Sequence, residues 1–492
     1  MLGAKRGSEV GNRNSYKLVS VLDVTREEKR RRKLQNFGIM PIWRWLWCQF
    51  RKMELSMEFI DLEFDGYGKL TKSSTCFDVL LVYIEHYIPE WLSEFLIEMS
   101  NTKRKIPVYL CGFLPTVASE KIQEKFPMVK MVLPGPLEIS LPEFCRILYS
   151  GLYDNFLCEQ KYFEYPKEET LTGDDLIEYQ EKFLLPSVGV IQTSSGCPRL
   201  CSFCRYSEFY HKYFPGIYRQ YSMADVVTEI KKLYEDYKIT SIRILDSNFL
   251  GAGKLVSKRA DDFADAMRKS GVQITFAIHS RSDSVSEEVI KTLTSVGLKY
   301  VTIGIESMSD EQLRRFGKRE TVDVHRKAVG ILKRNNLYVQ GYGILADPLV
   351  TRNELLENLN GLYELSKEIQ IVINERMILY TTTKYYKNYE KSIKNMRPIE
   401  SSLGIVIEYD FFDDWCDKYF MYVEHVSVWL YERIMEKCRQ IQLSTGKREK
   451  FMKYATMYRL EALIKIVNED IPDDAFIEII KEHTLEKMEK VG

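Results

Sequence analysis

Three cysteines stand in the spacing CxxxCxxC within Cys197-Pro198-Arg199-Leu200-Cys201-Ser202-Phe203-Cys204, directly after an apolar run of strand length at 188–193. Three thiolates on one short loop can hold three irons of a [4Fe–4S] cube. With no fourth ligand nearby, one iron stays open to an outside molecule. A zinc knuckle is the competing use, but structural zinc closes its tetrahedron with a fourth Cys or His at short spacing. His211, the nearest candidate, follows no common zinc pattern. The remaining cysteines, at 48, 76, 111, 145, 158, 416 and 438, are too scattered for a disulfide scaffold.

Around the triplet, strand-length apolar runs alternate with period-3.6 segments. Strands are predicted at 188–193, 241–245, 273–278, 300–305, 338–345 and 369–379, and helices at 223–237, 256–269, 287–296, 322–334 and 353–368. Six βα units without a Gly-rich dinucleotide fingerprint suggest a partial (βα)6 barrel. Gly251-Ala252-Gly253-Lys254 lacks the length and terminal Ser/Thr of a P-loop. Upstream, strands at 77–84 and 107–110 alternate with helices at 90–100, 119–126 and 141–149, which predicts a second α/β unit of Rossmann type.

The 492 residues are about three times the ~150-residue norm for one domain. The expected division is an N-terminal Rossmann-like domain over 1–160, a polar linker over 161–186, the barrel over 187–385 and a helical region over 386–492. In the first domain, the basic run at 29–33 reads as a charged helix face, and Trp43, Trp45 and Trp47 as a half-buried strand. In the last, helices are predicted at 419–438, 448–467 and 473–490. Seventy Lys and Arg cancel seventy Asp and Glu, so nothing draws the chain generally toward nucleic acid or an anionic membrane. No apolar run reaches the ~18 residues of a membrane span, and the first residues lack a secretory h-region. A cytoplasmic location is expected.

The triplet and the βα series together resemble the radical S-adenosylmethionine (SAM) superfamily over about 185–385. The resemblance implies a [4Fe–4S] cluster on Cys197, Cys201 and Cys204, with SAM on the open iron. Reductive cleavage of that SAM would give a 5′-deoxyadenosyl radical. Phe203 matches the position that lies against adenine. Asp246, in Leu245-Asp246-Ser247-Asn248-Phe249, stands where many members carry a Gly-Gly-Glu segment for the SAM amine. Ser280-Arg281-Ser282-Asp283 and Gly304-Ile305-Glu306-Ser307 resemble members with a cobalamin-binding-type domain. Arg281 is the candidate for the methionine carboxylate, by a forked guanidinium pair. Glu306, with Ser307 beside it, is the candidate for the ribose hydroxyls or the amine.

The region before the barrel is similar to a degenerate cobalamin-binding domain, with Cys111-Gly112 and Pro134-Gly135-Pro136-Leu137-Glu138 in place of its glycine turns. The Asp-x-His-x-x-Gly signature is missing and His86 is the only nearby histidine, so bound cobalamin is doubted. The whole pattern resembles proteusin-type radical SAM peptide epimerases. That resemblance implies a ribosomally made precursor peptide as substrate, L-to-D inversion, and an electron donor such as flavodoxin or ferredoxin. It makes Cys416 the hydrogen donor, and the flanking acids Asp413, Asp414 and Asp417 should keep its thiol protonated. The alternative is a cobalamin-dependent radical SAM methylase, which needs a corrinoid pocket between the two domains.

Overall fold

The computed structural model describes residues 18–23, 56–61, 78–101, 106–150, 188–213, 218–236, 238–440 and 445–491. The basic run at 29–33, the three N-terminal tryptophans and the linker at 161–186 lie outside them.

The N-terminal unit is a five-stranded parallel sheet of β1 (Leu18–Asp23), β2 (Ser56–Asp61), β3 (Val79–Tyr83), β4 (Val108–Cys111) and β5 (Val129–Leu133). Helices α1 (Glu90–Asn101), α2 (Phe113–Val117), α3 (Ser119–Lys125) and α4 (Leu137–Ser150) accompany it. Val79, Leu80, Leu81 and Val82 are completely buried, as expected of a strand covered on both faces. The strand order is β2-β1-β3-β4-β5. In such a doubly wound sheet the chain reverses direction of growth between β1 and β3, and ligands bind outside the carboxyl ends of the strands at that point. Glu85, His86, Gly112 and Gly135 occupy those ends. Gly112 has φ 109°, and a Cβ there would lie 2.4 Å from the Ile84 carbonyl oxygen, so this turn requires glycine. β1 and β2 went unpredicted.

The second sheet runs β6 (Val188–Ile191), β9 (Ser241–Ile244), β10 (Thr275–Arg281), β11 (Leu298–Glu306), β12 (Tyr338–Ala346) and β13 (Gln370–Arg376), parallel throughout and with each strand beside its successor. The short pair β7 (Ser194–Gly196) and β8 (Tyr218–Gln220) flanks α5 (Arg205–Tyr213). Helices α6 (Met223–Glu235), α7 (Leu255–Ser270), α8 (Glu287–Thr294), α9 (Asp310–Arg315), α10 (Val322–Arg334) and α11 (Arg352–Ser366) cover the sheet. Ile242, Ile244, Phe276, Ile278, Val301, Ile303 and Ile305 are buried in one continuous core with these helices. Burying each such side chain contributes about 1.5–3 kcal/mol. Side-chain caps set where helices start: Ser286 accepts from Val289 N–H, Thr321 from Val324 N–H, and Thr351 forms a capping box with Glu354.

The C-terminal region is helical as expected, with a small antiparallel sheet ahead of its helices. After β14 (Leu379–Tyr380) and α12 (Lys384–Tyr389), β15 (Lys394–Pro398) and β16 (Val406–Asp410) complete an antiparallel sheet ordered β14-β16-β15. These strands are short and carry Lys394, Arg397, Pro398, Glu408 and Asp410, so no apolar alternation marked them. α13 (Asp414–Gln440), α14 (Thr445–Asn468) and α15 (Asp474–Glu489) then match the three predicted helices. Buried Glu375 on β13 is tied to Ser427 and Arg459, which fastens α13 and α14 to the end strand of the barrel sheet. No helix among the described residues is long and apolar enough to cross a membrane.

Candidate active site

The cysteine loop leaves β6 under tight control. Asp246, at the end of β9, is fully buried; its Oδ1 accepts the N–H groups of Thr193 (2.7 Å) and Ser194 (3.1 Å). Its Oδ2 accepts both hydroxyls at 2.6 Å and pairs with buried Arg259 at 3.1 Å. Farther along, Ser202 N–H donates to the Phe316 carbonyl at 2.8 Å, Ser202 Oγ to the Arg315 carbonyl at 2.7 Å, and Tyr385 N–H to the Ser202 carbonyl at 2.8 Å. Gly317, at φ 60°, lies against Ser202: an added Cβ would meet the Ser202 Cβ at 3.3 Å. The end of β9, the turn after α9 and the helix α12 therefore hold the loop that carries Cys197, Cys201 and Cys204.

A charged network surrounds the thiols. Arg281 donates to Cys201 Sγ at 3.1 Å and to the Lys318 carbonyl at 2.6 Å, and it pairs with Asp283 (3.2 Å) and Glu320 (3.3 Å). Lys318 Nζ contacts Glu320 at 3.2 Å, Glu306 at 3.3 Å and the Gly304 carbonyl at 2.8 Å. Arg199, inside the loop, pairs with Asp283 at 2.7 Å. Burial pushes the Cys201 thiol up to about 11 against the opposing pull of Arg281 and Lys318, and burial also raises Cys197. Both thiols stay protonated at neutral pH until a cation displaces the proton. No three His, Cys, Asp or Glu side chains among the described residues converge as ligands of a single ion. A cubane needs no such convergence, since each thiolate binds its own iron. One loop bearing three half-buried sulfurs beside Arg281 fits a [4Fe–4S] cluster.

The predicted site residues divide. Arg281 and Glu306 join the cysteine loop in one network through Lys318 and Glu320. Glu306 takes φ 64° at the end of β11, a strained conformation for a residue with a side chain. Phe203 packs on Phe316, with ring centroids 5.0 Å apart. Two of the predicted residues are engaged within the protein. Asp246 spends both oxygens on the loop and Arg259, and Ser307 is fully buried with its Oγ accepting from Ser309 N–H at 3.0 Å. Lys318, Glu320 and Tyr385 went unrecognised because they follow the strand ends by several residues, where no motif marks them.

The carboxyl ends of the N-terminal sheet meet the same loop. Arg205, the residue after Cys204, is ion-paired with Glu85 and lies over the rings of Phe113 (4.7 Å) and Tyr206 (4.3 Å). Burial raises the Glu85 carboxyl, but Arg205, His86 and Tyr83 more than offset it and leave it lowered. Glu138, at the start of α4, accepts from Ser195 Oγ at 2.8 Å and Tyr210 at 3.2 Å. Thr116 ties the two glycine turns together, donating to the Gly112 carbonyl (2.6 Å) and accepting from Gly135 N–H (3.0 Å). His86 shares its Nδ1 with the Tyr380 hydroxyl at 2.9 Å. In the first turn of α4, Ser140 Oγ is buried without a partner. Paired glycine turns and an orphaned hydroxyl at the carboxyl ends of the parallel strands fit a large polar cofactor such as a corrinoid.

Residues 191–360 match the radical SAM superfamily. An uncharacterized methyltransferase of Pyrococcus horikoshii is 28% identical over 270 residues, 52% of this chain and 57% of that protein, so the chain spans little more than half of this relative's length. Among solved structures, the cobalamin-dependent SAM radical enzyme OxsB with aqua-cobalamin bound superposes with TM-score 0.71 at 15% identity, over 97% of this chain and 80% of that one. TsrM, a radical SAM methyltransferase of Kitasatospora setae with cobalamin and a [4Fe–4S] cluster bound, gives 0.60 at 14% identity, over 97% and 99%. These likenesses overturn the expected peptide epimerase: the relatives are methyltransferases and cobalamin-dependent enzymes, and the proteusin resemblance finds no support. Cys416 agrees with that correction. It is completely buried in the core at the start of α13, and burial and then Asp413 push its thiol far up. The doubt about cobalamin, drawn from a missing histidine motif, is likewise unsupported, because both solved structures hold cobalamin. The chain carries a radical SAM superfamily domain over residues 191–360, joined to a Rossmann-like parallel sheet before it and a helical region after it.

Proposed function

We propose that this protein is a cobalamin-dependent radical SAM methyltransferase. The observation that carries the reading is the junction at Arg205: one residue past the last cysteine, it is paired with Glu85 at the switch point of the N-terminal sheet. Cluster loop and corrinoid crevice thus share a wall. Cys197, Cys201 and Cys204 would hold the cluster, Arg281 and Glu306 the methionine end of SAM, and the Gly112 and Gly135 turns with Ser140 the corrinoid. When bound, the cluster supplies the electron and the open iron, and the corrinoid a methyl carrier. Arg281 fixes the loop by its bond to Cys201, while the Asp246–Arg259 clamp keeps the loop's entry in place. The Tyr380 hydroxyl holds the His86 ring through its Nδ1 at the carboxyl end of β3.

The test is anaerobic reconstitution of the full chain with iron, sulfide and hydroxocobalamin, followed by SAM labelled in its methyl group, a reductant and a small-molecule extract. Stoichiometric retained corrinoid and transfer of the labelled methyl to an extract component support the reading. Full iron loading with no retained corrinoid and no labelled product refutes it. Cys197→Ala, Cys201→Ala and Cys204→Ala should each abolish labelling.

A further inference from the structure

Strand register arranges the concave face of the barrel into layers, and that face is polar. Val190, Arg243, Ala277, Tyr300 and Tyr338 form one layer across β6, β9, β10, β11 and β12. His279, Thr302, Gln340 and Gln370 form the next, and Arg281, Gly304, Tyr342 and Val372 the layer after it. The aliphatic partners of these residues face the helices and are fully buried, whereas Arg243, His279, Thr302, Gln340 and Tyr342 are only half-buried. A packed barrel interior is filled by Val, Ile and Leu. This one presents a guanidinium, an imidazole, a phenol and an amide, with the Arg281–Cys201 contact in the layer above them.

Within the chamber, Arg243 Nη2 lies 3.5 Å from His279 Nε2. Burial and the neighbouring guanidinium hold His279 down to about 4, so the ring is neutral at physiological pH and can donate or accept without adding charge. Burial holds the Arg243 guanidinium below its ordinary value, and Tyr342, in the layer of Arg281, lies close enough to oppose that pull. At the far end, Tyr300 and Tyr338 pack with ring centroids 5.4 Å apart, and Glu449 of α14 reaches Tyr300. That end is therefore lined by aromatic rings and a C-terminal helix. Arg243 lies in the layer of this floor, and His279 and Tyr342 lie in the layers between it and the cysteine loop.

We infer that the barrel lumen is a substrate chamber built for an acidic small molecule, with Arg243, His279 and Tyr342 gripping its carboxylate or phosphate. The inference rests on reading the barrel as the reaction chamber of a radical SAM enzyme. A forked guanidinium suits either anion, and its charge-assisted bonds are stronger than those of neutral groups. Arg243 and His279 would hold the acid in the two lower layers, with Tyr342 closing over it from the layer of Arg281 and Gly304, and the rest of the molecule would lie next to the cluster loop.

Equilibrium dialysis of the iron–sulfur-reconstituted full chain against radiolabelled inorganic phosphate and, separately, radiolabelled succinate tests this, the two arms separating a phosphate from a carboxylate substrate. At least one anion should bind, Arg243→Gln should weaken it about tenfold or more, and Arg243→Lys less. Lys231→Gln, on the outer surface of α6, should bind as the parent does. Where Arg243→Gln fails to fold, as judged by iron content and circular dichroism, phenylglyoxal labelling of the parent replaces it: phosphate or succinate should protect the Arg243 peptide. Equal binding by parent and Arg243→Gln, no binding of either anion, or no protection overturns the chamber's acid specificity. None of these measurements uses corrinoid or turnover. Anion binding without labelled-methyl transfer would sink only the methyltransferase reading, and transfer without anion binding only this inference.

Discussion

Asp246→Asn isolates the clamp that sets the entry to the cysteine loop. Asparagine keeps an oxygen for the Thr193 and Ser194 N–H groups, but its amide NH2 takes the place of Oδ2, which accepts two hydroxyls and faces Arg259. Arg259 is 1% exposed, so its charge would remain buried without its carboxylate. Removing one member of a buried pair costs about 3–5 kcal/mol. At about 2–4 °C per kcal/mol for a unit of this size, the unfolding midpoint should fall by roughly 6–20 °C. The assay is anaerobic thermal unfolding by circular dichroism, with iron per chain measured on the same samples, and iron should fall with stability because the clamped residues lead into Cys197. Arg259→Met should behave similarly, and the double change Asp246→Asn with Arg259→Met should recover part of the loss, since neither charge is then stranded and an oxygen still accepts the Thr193 and Ser194 N–H groups. An unchanged midpoint with weakened SAM binding would refute the clamp and make Asp246 a cofactor contact.

Gly304→Ala would place a Cβ 2.5 Å from Glu306 Oε1 and 3.0 Å from Lys318 Nζ, both ends of flexible chains. Stability should change by less than about 1 kcal/mol while SAM affinity, read by equilibrium dialysis, falls. Three histidines, His325 buried and His86 and His279 half-buried, make the fold acid-sensitive: desolvation, with neighbouring cations, holds His86 and His279 down to about 4 and His325 to about 3. The unfolded chain takes up protons near pH 6.5 and the folded one only below these values. Stability is therefore fully present above pH 6.5 and falls toward pH 4, by on the order of 3 kcal/mol for each histidine. Urea titrations at stepped pH should show that decline, and His325→Asn should flatten it. Glu375→Gln leaves Arg459 buried against Ser427 and should cost about 3–5 kcal/mol, with α13 and α14 losing amide-exchange protection first.

What the sequence determined by itself was whatever repeats locally. Apolar runs of strand length and 3.6-period helices located all six barrel strands and the three C-terminal helices, because a parallel strand buried on both faces and a helix with one apolar stripe each carry that signature in a few consecutive residues. The triplet at 197, 201 and 204 was legible for the same reason, its ligands lying on one loop. Only the tertiary structure decided the rest. It turned Asp246 and Ser307 inward and brought Lys318 and Glu320 to Arg281. Cys416, flanked by acids in sequence, is completely buried, since helical position and not adjacent charge sets which side faces the core. The pairing of β1 and β2 beside β3 creates the switch-point crevice, and Arg205 meets Glu85 across 120 residues of chain. Partners that far apart leave no trace in spacing or periodicity, because their proximity is a property of how the two sheets pack and not of any segment within them.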